Sequence, residues 1–272
     1  MKKFLLLITL IVLSIGIGLS WKEETVGDNL QKLQEKPKQL ILRFALIADS
    51  EDEDELLAKA LSQAKGAGVN FVIGLGDFTS LGIVEQLTSA KNVFDQSGLT
   101  YYVTAGDRDL WDSRNRGEVA TANFRQVFGD SSFNIIKEGI QIVILDNSDI
   151  YKGIDQSEWS MVNGEWAESA KLRFVFAHKT LFHPQSSHVM GEGNDKVSAQ
   201  ARKLMDLLEE KRVDGFFSGD LHFFARFNSP SGAVKMTTTG AVNSARNFQG
   251  PRFAIVTVYS DYSWEVEDVE IR

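Results

Sequence analysis

The stretch LILRFALIAD, residues 40–49, decides the fold that the sequence predicts. Only Arg43 interrupts this apolar run, which ends in the carboxylate of Asp49. Continuous apolar runs of this length are typical of strands buried on both faces, as in parallel sheets covered by helices. The segment Glu51–Lys65 then has a helical pattern that stops at Gly66. The folded part of the chain is therefore predicted to begin with a strand followed by a helix.

The same pattern recurs twice in the following part of the chain. The run Asn70–Leu75 leads into Gly76-Asp77, and the run Thr100–Thr104 leads into Gly106-Asp107. Between them, four apolar residues fall on one face of a helix: Ile83, Leu87, Ala90 and Phe94. Three strands thus end in a carboxylate, at the edge where ligands bind in open α/β sheets.

The second half of the chain is richer in strands. A hairpin is predicted over Phe133–Asp146 with its turn at Glu138-Gly139, and the strand Leu172–Ala177 leads into His178. An amphipathic helix is predicted from Val197, Ala201, Leu204, Met205 and Leu208. Further strands are predicted at Val213–Ser218, His222–Phe227, Val234–Thr239, Phe253–Tyr259 and Trp264–Val269. We therefore predict an α/β fold of two packed mixed β-sheets flanked by helices.

The composition excludes several function classes. The 272 residues carry a formal net charge of −8 with a pI near 5.1, and no basic run follows Lys2-Lys3, so nucleic-acid binding is not expected. The chain contains no cysteine, which excludes thiolate metal sites, disulfides and cysteine nucleophiles. Any metal site must use histidine, aspartate, glutamate, asparagine or backbone oxygen.

The N-terminus has the pattern of an export signal. Lys2 and Lys3 precede the uncharged, mostly apolar run Phe4–Leu19. We interpret residues 1–21 as a signal peptide or a retained membrane anchor, and the polar residues 22–39 as a linker. The domain formed by residues 40–272 is then expected outside the cytoplasm, either secreted or anchored to the cell membrane.

Five strand ends carry side chains that can bind metal. They are Asp49, Asp77, Asp107, His178, and the pair Asp220 and His222. A single carboxylate of this kind would be explained by capping of the following helix. Five strand ends that converge on one sheet edge would bring like charges together, and such charges repel unless cations hold them. The pattern therefore indicates a metal site at this edge.

The order of these motifs resembles that of the calcineurin-like metallophosphoesterases. That family carries, in sequence order, Asp-x-His, Gly-Asp, Gly-Asn-His-Asp/Glu, a lone His and Gly-His-x-His. This chain reads Asp49-Ser50-Glu51, Gly76-Asp77, Gly106-Asp107-Arg108-Asp109, His178 and Gly219-Asp220-Leu221-His222. The resemblance covers about residues 40 to 245, and it implies a four-layer α/β/β/α sandwich with a dinuclear metal site.

The resemblance also implies a role for each of these positions. One ion would be bound by Asp49, Glu51 and His222, the other by Asp107, His178 and Asp220, and Asp77 would bridge the two. Such a pair of ions provides a nucleophile for in-line attack on phosphorus and stabilises the charge on the phosphoryl oxygens. The implied activity is hydrolysis of a phosphate monoester or diester.

Four positions depart from the family pattern. Glu51, Asp107 and Asp220 stand where the family has His, Asn and His. A site rich in carboxylates favours manganese, iron or magnesium over zinc. Arg108 replaces the family's phosphate-contacting His; it cannot donate a proton at neutral pH, but it can bind phosphate bidentately. We therefore expect Arg108, oriented by Asp109, to be a catalytic residue that binds the substrate, with slow hydrolysis or a preference for good leaving groups.

Alternatives remain open for several of these residues. Glu51 can be a metal ligand, or it can only be an acidic residue that favours the dipole in the first turn of a helix. His183 and His188 lie in a polar loop, where solvent exposure is the default and lining of the active site the alternative. The alternative function is a non-catalytic, membrane-tethered binding domain, which Arg108 and the loss of the Asp-x-His pair favour.

Overall fold

The computed structural model describes residues 38–164 and 166–272. The predicted export segment 1–21 and most of the predicted linker lie outside these residues. The described strands are β1 Leu40–Ile47, β2 Phe71–Gly74, β3 Tyr101–Val103, β4 Phe133–Lys137, β5 Ile140–Leu145, β6 Leu172–Ala177, β7 Gly215–Ser218, β8 Ala225–Asn228, β9 Lys235–Thr238, β10 Arg252–Tyr259 and β11 Trp264–Glu270. The described helices are α1 Asp54–Gly66, α2 Val84–Ser97, α3 Trp111–Asn115, α4 Ala122–Phe128, α5 Gln156–Asn163 and α6 Asp195–Glu210. None of these helices is both long and apolar enough to cross a membrane.

The strands form two mixed sheets. One sheet has the order β11-β10-β1-β2-β3. In it β1, β2 and β3 are parallel, β10 is antiparallel to β1, and β11 is antiparallel to β10. The other has the order β4-β5-β6-β7-β9-β8, in which β5, β6, β7 and β9 are parallel and the two edge strands antiparallel. The predicted α/β fold class with two mixed sheets is confirmed.

Three apolar cores separate four layers. Along β1, Ala45 and Ile47 pack with residues of α1, α2 and α4, whereas Phe44 and Leu46 pack with the second sheet. A third core lies between that second sheet and the helices α5 and α6. Both faces of each central strand are therefore covered, which explains why the strands read as continuous apolar runs and not as alternating ones. The predicted α/β/β/α layering is confirmed.

Several element boundaries differ from the prediction because the backbone turns sharply after strands. The helix predicted from Glu51 begins at Asp54, since Glu51 and Asp52 have φ values of 43° and 69°, outside the helical region. The strand predicted from His222 begins at Ala225, since His222 has a φ of 57°. The short helices α3, α4 and α5 were not predicted, because five to eight residues give too little apolar periodicity.

Candidate metal centre

The predicted site residues lie together at one end of the two sheets. Asp49, Asp77 and Asp107 follow the parallel strands β1, β2 and β3 of the first sheet. His178 and Asp220 follow the parallel strands β6 and β7 of the second. The packing of the sheets brings these strand ends into contact, as the cross-sheet hydrogen bond of the Asp220 N–H to the Asp49 carboxylate at 3.1 Å shows.

Left-handed turns aim these side chains across the sheet edge. The φ values are 57° at Asp49, 43° at Glu51, 51° at Asp77, 68° at Asp220 and 57° at His222. Residues other than glycine adopt such values at a cost in free energy, although aspartate tolerates them better than most. Five strained positions within one small region indicate that the surrounding structure holds the side chains there for a purpose beyond folding.

One group of metal-binding atoms comprises Asp49, Asp77 and His178. Their ligand atoms lie within 4.8 Å of one another and all three residues are buried. Burial raises the pKa of Asp49 to about 8 and that of Asp77 well above its ordinary value, although the charge of His178 opposes the rise. A bound cation would keep both carboxylates ionised, so the group fits a metal ion.

A second group comprises Asp107, His178 and Asp220. His178 Nε2 lies 3.4 Å from Asp107 Oδ1 and 3.6 Å from Asp220 Oδ1, and it also lies 3.6 Å from Asp77 Oδ1. Within the described residues, His178 Nε2 and Asp220 Oδ2 are buried without a hydrogen-bond partner. Buried polar atoms are rarely left so, and a cation beside them would satisfy both. By this test the residues fit a metal site.

Glu51 and His222 lie next to the first group. Glu51 Oε1 is 3.3 Å from His222 Nε2, which is 3.9 Å from Asp49 Oδ1. Burial, helped by the charge of Arg246, lowers the pKa of His222 to about 4. The imidazole is therefore neutral at physiological pH, and neutral imidazole is the form that binds metals. All seven residues predicted as ligands thus lie in one region; their ligand roles remain a prediction.

Arg108 lies beside this region, but Asp109 does not orient it as expected. Arg108 Nε is 3.1 Å from Glu51 Oε1 and 3.5 Å from Asp77 Oδ2, and its guanidinium carbon lies 5.6 Å from the centre of the Trp111 ring. The buried Asp109 carboxylate instead accepts hydrogen bonds from the backbone N–H groups of residues 78, 79 and 106 and from a threonine hydroxyl. Asp109 therefore holds together the loops that follow β2 and β3, and Glu51 holds Arg108.

Sequence reasoning missed Lys179 and Arg246. Lys179 Nζ lies 2.7 Å from Asp220 Oδ1 and 3.0 Å from Asp107 Oδ1. Burial lowers the pKa of this ammonium, but the two carboxylates outweigh burial and raise it above its ordinary value. Arg246, from the far end of the chain, donates to Glu51 at 3.2 Å and 3.3 Å. No spacing rule pointed to either residue; the only signal was that so many carboxylates need basic partners.

Of the two loop histidines, only His188 reaches the site. Its Nε2 lies 3.4 Å from Asp220 Oδ1, and its Nδ1 lies 2.6 Å from Glu192 Oε2. The hydrogen bond to Asp220 is the main reason why the pKa of His188 is raised to about 9. His183 packs instead against the Phe227 ring, at 4.7 Å between centroids. His188 is therefore both exposed, at 55% of its side chain, and part of the lining of the site.

Part of this region lines a cleft of about 260 Å³. Four carboxylate and imidazole side chains of the site line it together with basic and apolar residues: Asp77, Asp107, Asp220, His222, Arg108, His188, Arg246, Trp111 and Leu221. The carboxylates of Asp77 and Asp220 are 4% exposed, whereas the basic side chains of His188 and Arg246 are 55% and 63% exposed and so lie at its mouth. Such a cleft can bind a cation at the bottom and an anionic ligand above it.

No protein-family model matches the sequence, and no curated protein matches it. Solved structures do match the fold. A dimetal phosphatase from Danio rerio is 14% identical with a TM-score of 0.58, over 86% of this chain and 100% of that one. Purple acid phosphatase from yellow lupin seeds is 13% identical with a TM-score of 0.61, over 85% of this chain and 51% of that one. GAP50 of Plasmodium, the anchor in the inner membrane complex, is 16% identical with a TM-score of 0.55, over 86% of this chain and 90% of that one. The chain therefore has the metallophosphoesterase fold in a divergent form.

Proposed function

We propose that this chain hydrolyses a phosphate monoester or diester with metal ions bound at the candidate centre. One observation carries the proposal. Asp49, Asp77 and His178 are buried with their ligand atoms within 4.8 Å of one another, and Asp107 and Asp220 form a second such group around the same imidazole. Isolated carboxylates do not gather in a buried region without a compensating charge.

The ligand roles follow the order of the sequence motifs. Asp49, Glu51 and His222 would bind one ion, Asp107, His178 and Asp220 the other, and Asp77 would lie between them. Five carboxylates against two imidazoles favour manganese, iron or magnesium over zinc. Divalent cations held there would supply a nucleophile from water at neutral pH and stabilise the charge on the phosphoryl oxygens.

The basic side chains at the mouth of the cleft would hold the substrate. Arg108 and Arg246 line the cleft, and both present guanidinium groups that match the geometry of phosphate oxygens. Because arginine cannot donate a proton at neutral pH, Arg108 would orient the phosphate and stabilise its charge. His188 Nε2 lines the same cleft and is the group placed to donate a proton to a leaving group there.

The test combines metal analysis with a turnover screen. Full-length protein should retain manganese or iron after dialysis and hydrolyse chromogenic phosphate monoesters or diesters, faster with added manganese. Asp77→Asn should abolish both properties, whereas His183→Ala, in a residue outside the cleft, should preserve them. Wild-type protein that binds no metal and turns over no ester would contradict the proposal.

A non-catalytic binding domain is the second candidate, and a specific observation favours it. Basic side chains of the chain itself already contact the three carboxylates that depart from the family pattern, which are Glu51, Asp107 and Asp220. Ion pairs of this kind can hold the cleft together without turnover. Fully metallated protein that is inert on every ester would favour this candidate.

The N-terminal pattern predicted to be an export signal favours a location outside the cytoplasm. Residues 1–21 would either be cleaved or remain as a membrane anchor, and the structural neighbour from Plasmodium is itself an anchor in a membrane complex. A reporter that is active only outside the cytoplasm, fused after residue 40, should give a signal. A silent reporter, with the fusion present at normal level, would overturn the proposed location.

A further inference from the structure

Each carboxylate that departs from the family's ligand set has a basic partner from the same chain. Glu51 contacts Arg108 at 3.1 Å and Arg246 at 3.2 Å. Asp107 and Asp220 share Lys179, at 3.0 Å and 2.7 Å. Compared with the family pattern, these three carboxylates stand in place of neutral side chains and add three negative charges. Three basic side chains lie against the same three residues. The added charge is therefore compensated locally, by two arginines at Glu51 and by one lysine shared between Asp107 and Asp220.

Lys179 is held in place at both its ends. Its side chain is 7% exposed, and its ammonium forms charge-assisted hydrogen bonds of ordinary length to the two carboxylates. Its backbone N–H donates to Asn147 Oδ1 at 2.9 Å, and its carbonyl accepts from Asn147 Nδ2 at 2.8 Å. Asn147 is itself buried. The lysine is thus a fixed part of the centre and not a surface side chain that happens to fold inwards.

The ammonium contacts one oxygen of each of the two carboxylates that the second metal ion would need. Lys179 binds Oδ1 of Asp107 and Oδ1 of Asp220, and these same atoms face His178 Nε2 at 3.4 Å and 3.6 Å. A divalent ion bound to both oxygens would lie close to a buried positive charge. Like charges at such a distance in a region of low dielectric repel strongly. Lysine and the second ion therefore compete for one pair of carboxylates.

Asp49, in the first group, does not face this competition. Asp49 accepts hydrogen bonds from the backbone N–H of Asp220, and in the part of the chain that the structure describes it forms no ion pair with lysine or arginine. Asp77 and His178 complete this group, and the nearest basic group to Asp77, Arg108 Nε, lies 3.5 Å away, farther than Lys179 lies from either of its carboxylates. An ion there would meet carboxylate and imidazole atoms without displacing a basic side chain from Asp49.

We propose that Lys179 is a built-in cation that takes the place of one of the two metal ions. The centre then binds a single divalent ion, at Asp49, Asp77 and His178, and the Lys179 ammonium supplies the positive charge between Asp107 and Asp220. The inference rests on the proposed function in that it requires a metal centre, but it does not require turnover.

The test counts the bound ions in the full-length chain. Manganese is titrated calorimetrically into metal-free wild type, Lys179→Met and Lys59→Met, and the metal content after dialysis is measured by elemental analysis. Wild type and the control Lys59→Met, in an exposed residue of α1, should each bind one ion per chain. Lys179→Met should bind two, and its electron paramagnetic resonance spectrum should change from that of an isolated manganese ion to that of an exchange-coupled pair.

The outcomes separate this inference from the proposed function. Two ions in the wild type, or a count of one in folded Lys179→Met, would overturn the inference, and ester turnover in the same samples would leave the proposed function standing. The expected ion counts without ester turnover would support the inference and contradict the proposed enzymatic activity. A wild type that binds no ion would overturn both. Should Lys179→Met not fold, anomalous diffraction from manganese-soaked wild-type crystals decides: one peak beside Asp49 supports the inference, and a peak between Asp107 and Asp220 overturns it.

Discussion

His178 Nδ1 lies 2.7 Å from the carbonyl oxygen of Leu75 and binds the two sheets together at the candidate centre. A carbonyl oxygen only accepts, so Nδ1 carries the proton and donates it. In the neutral imidazole Nε2 then keeps its lone pair, and it faces the oxygens of Asp77, Asp107 and Asp220. Metal-binding histidines are commonly oriented by such a hydrogen bond from the second ring nitrogen.

His178→Ala should therefore weaken manganese binding more than any other single change to a histidine of this chain. Even loss of a supporting partner costs roughly tenfold to a hundredfold in metal affinity, so removal of the shared imidazole should cost at least about tenfold. Isothermal titration calorimetry on folded protein measures this. His183→Ala is the control, since its Nδ1 accepts hydrogen bonds from the backbone of its own loop. Equal manganese affinities in both variants would show that His178 does not bind the metal.

Removal of metal should lower the melting temperature. An ion present at a hundred times its dissociation constant stabilises the folded state by about 2.7 kcal/mol. For a chain of this size that corresponds to roughly 5–10 °C. Differential scanning fluorimetry with chelator, and then with manganese restored, measures the shift. Asp77→Asn should show no shift, because Asp77 contributes to the buried ligand group. An identical melting temperature with and without the ion in the wild type would argue against specific binding.

The strand ends of the site could be predicted because the sequence records them directly. Each apolar run stops at the residue where the backbone turns, and the carboxyl ends of parallel strands share one edge. The helix α5 was missed although a signal was present: the Asp155 side chain caps the helix, and the Glu158 carboxylate accepts a hydrogen bond from the Asp155 N–H. The helix is only eight residues long, which hid it from a search for apolar periodicity.

The basic half of the centre could not be predicted from the sequence. Lys179 adjoins His178, but only the way β6 ends decides whether its long side chain reaches Asp107 or solvent. Arg246 reaches Glu51 from a loop that lies far away along the chain. Such contacts depend on the packing of two sheets, and neither spacing nor periodicity encodes it. The carboxylates were visible as motifs, whereas their counter-charges are a product of tertiary structure.

Gly106→Ala should disturb the position of Asp77. A Cβ atom at Gly106 would lie 2.1 Å from both the backbone nitrogen and Oδ1 of Asp77, so backbone must move. Overpacking of this kind costs about 1–3 kcal/mol, and manganese affinity should fall with it. The control is Gly66→Ala, where no atom lies within 4 Å of the added Cβ and the helix end should be stabilised slightly. Urea unfolding and metal titration measure the two effects. A Gly106→Ala variant that matches the wild type in stability and in manganese affinity would show that this close approach is not needed.

Glu158 should make stability depend on pH outside the metal centre. It accepts from Ser132 Oγ at 2.6 Å, and burial, with a further contribution from Asp155, raises its pKa from 4.5 to about 7. The folded state therefore binds this proton more tightly than the unfolded state does. The resulting stability is complete below about pH 4.5 and is lost as the pH rises through about 7.

Glu158→Gln cannot ionise, so its unfolding free energy relative to wild type should rise between pH 4.5 and 7. Urea unfolding at several pH values gives the difference. Glu210→Gln, at an exposed position at the end of α6, is the control substitution. A difference between Glu158→Gln and wild type that does not change with pH would contradict the burial argument.

Arg108 separates an enzyme from a binding domain. Its guanidinium is pre-positioned by Glu51 at 3.1 Å and lies over Trp111 at the mouth of the cleft. Arg108→Ala would remove a charge-assisted hydrogen bond to phosphate, a loss of about 1.5–3 kcal/mol, or roughly tenfold to a hundredfold in kcat/KM. Arg108→His should preserve or raise the rate, above all on alkyl esters with poor leaving groups, because it restores a titratable donor.

The measurement is turnover of an aryl and an alkyl phosphate ester, with the metal content checked in every variant. Arg202→Ala, in an exposed residue of α6, is the matched control and should behave as wild type. A wild type that is metallated and inert, combined with a gain of activity in Arg108→His, would identify a centre that has lost its proton donor and serves in binding. If neither Arg108 variant changes a measurable wild-type rate, the guanidinium makes no contact with the reacting phosphate. Its role would then be limited to the ion pair with Glu51, which binds two strand-end loops together.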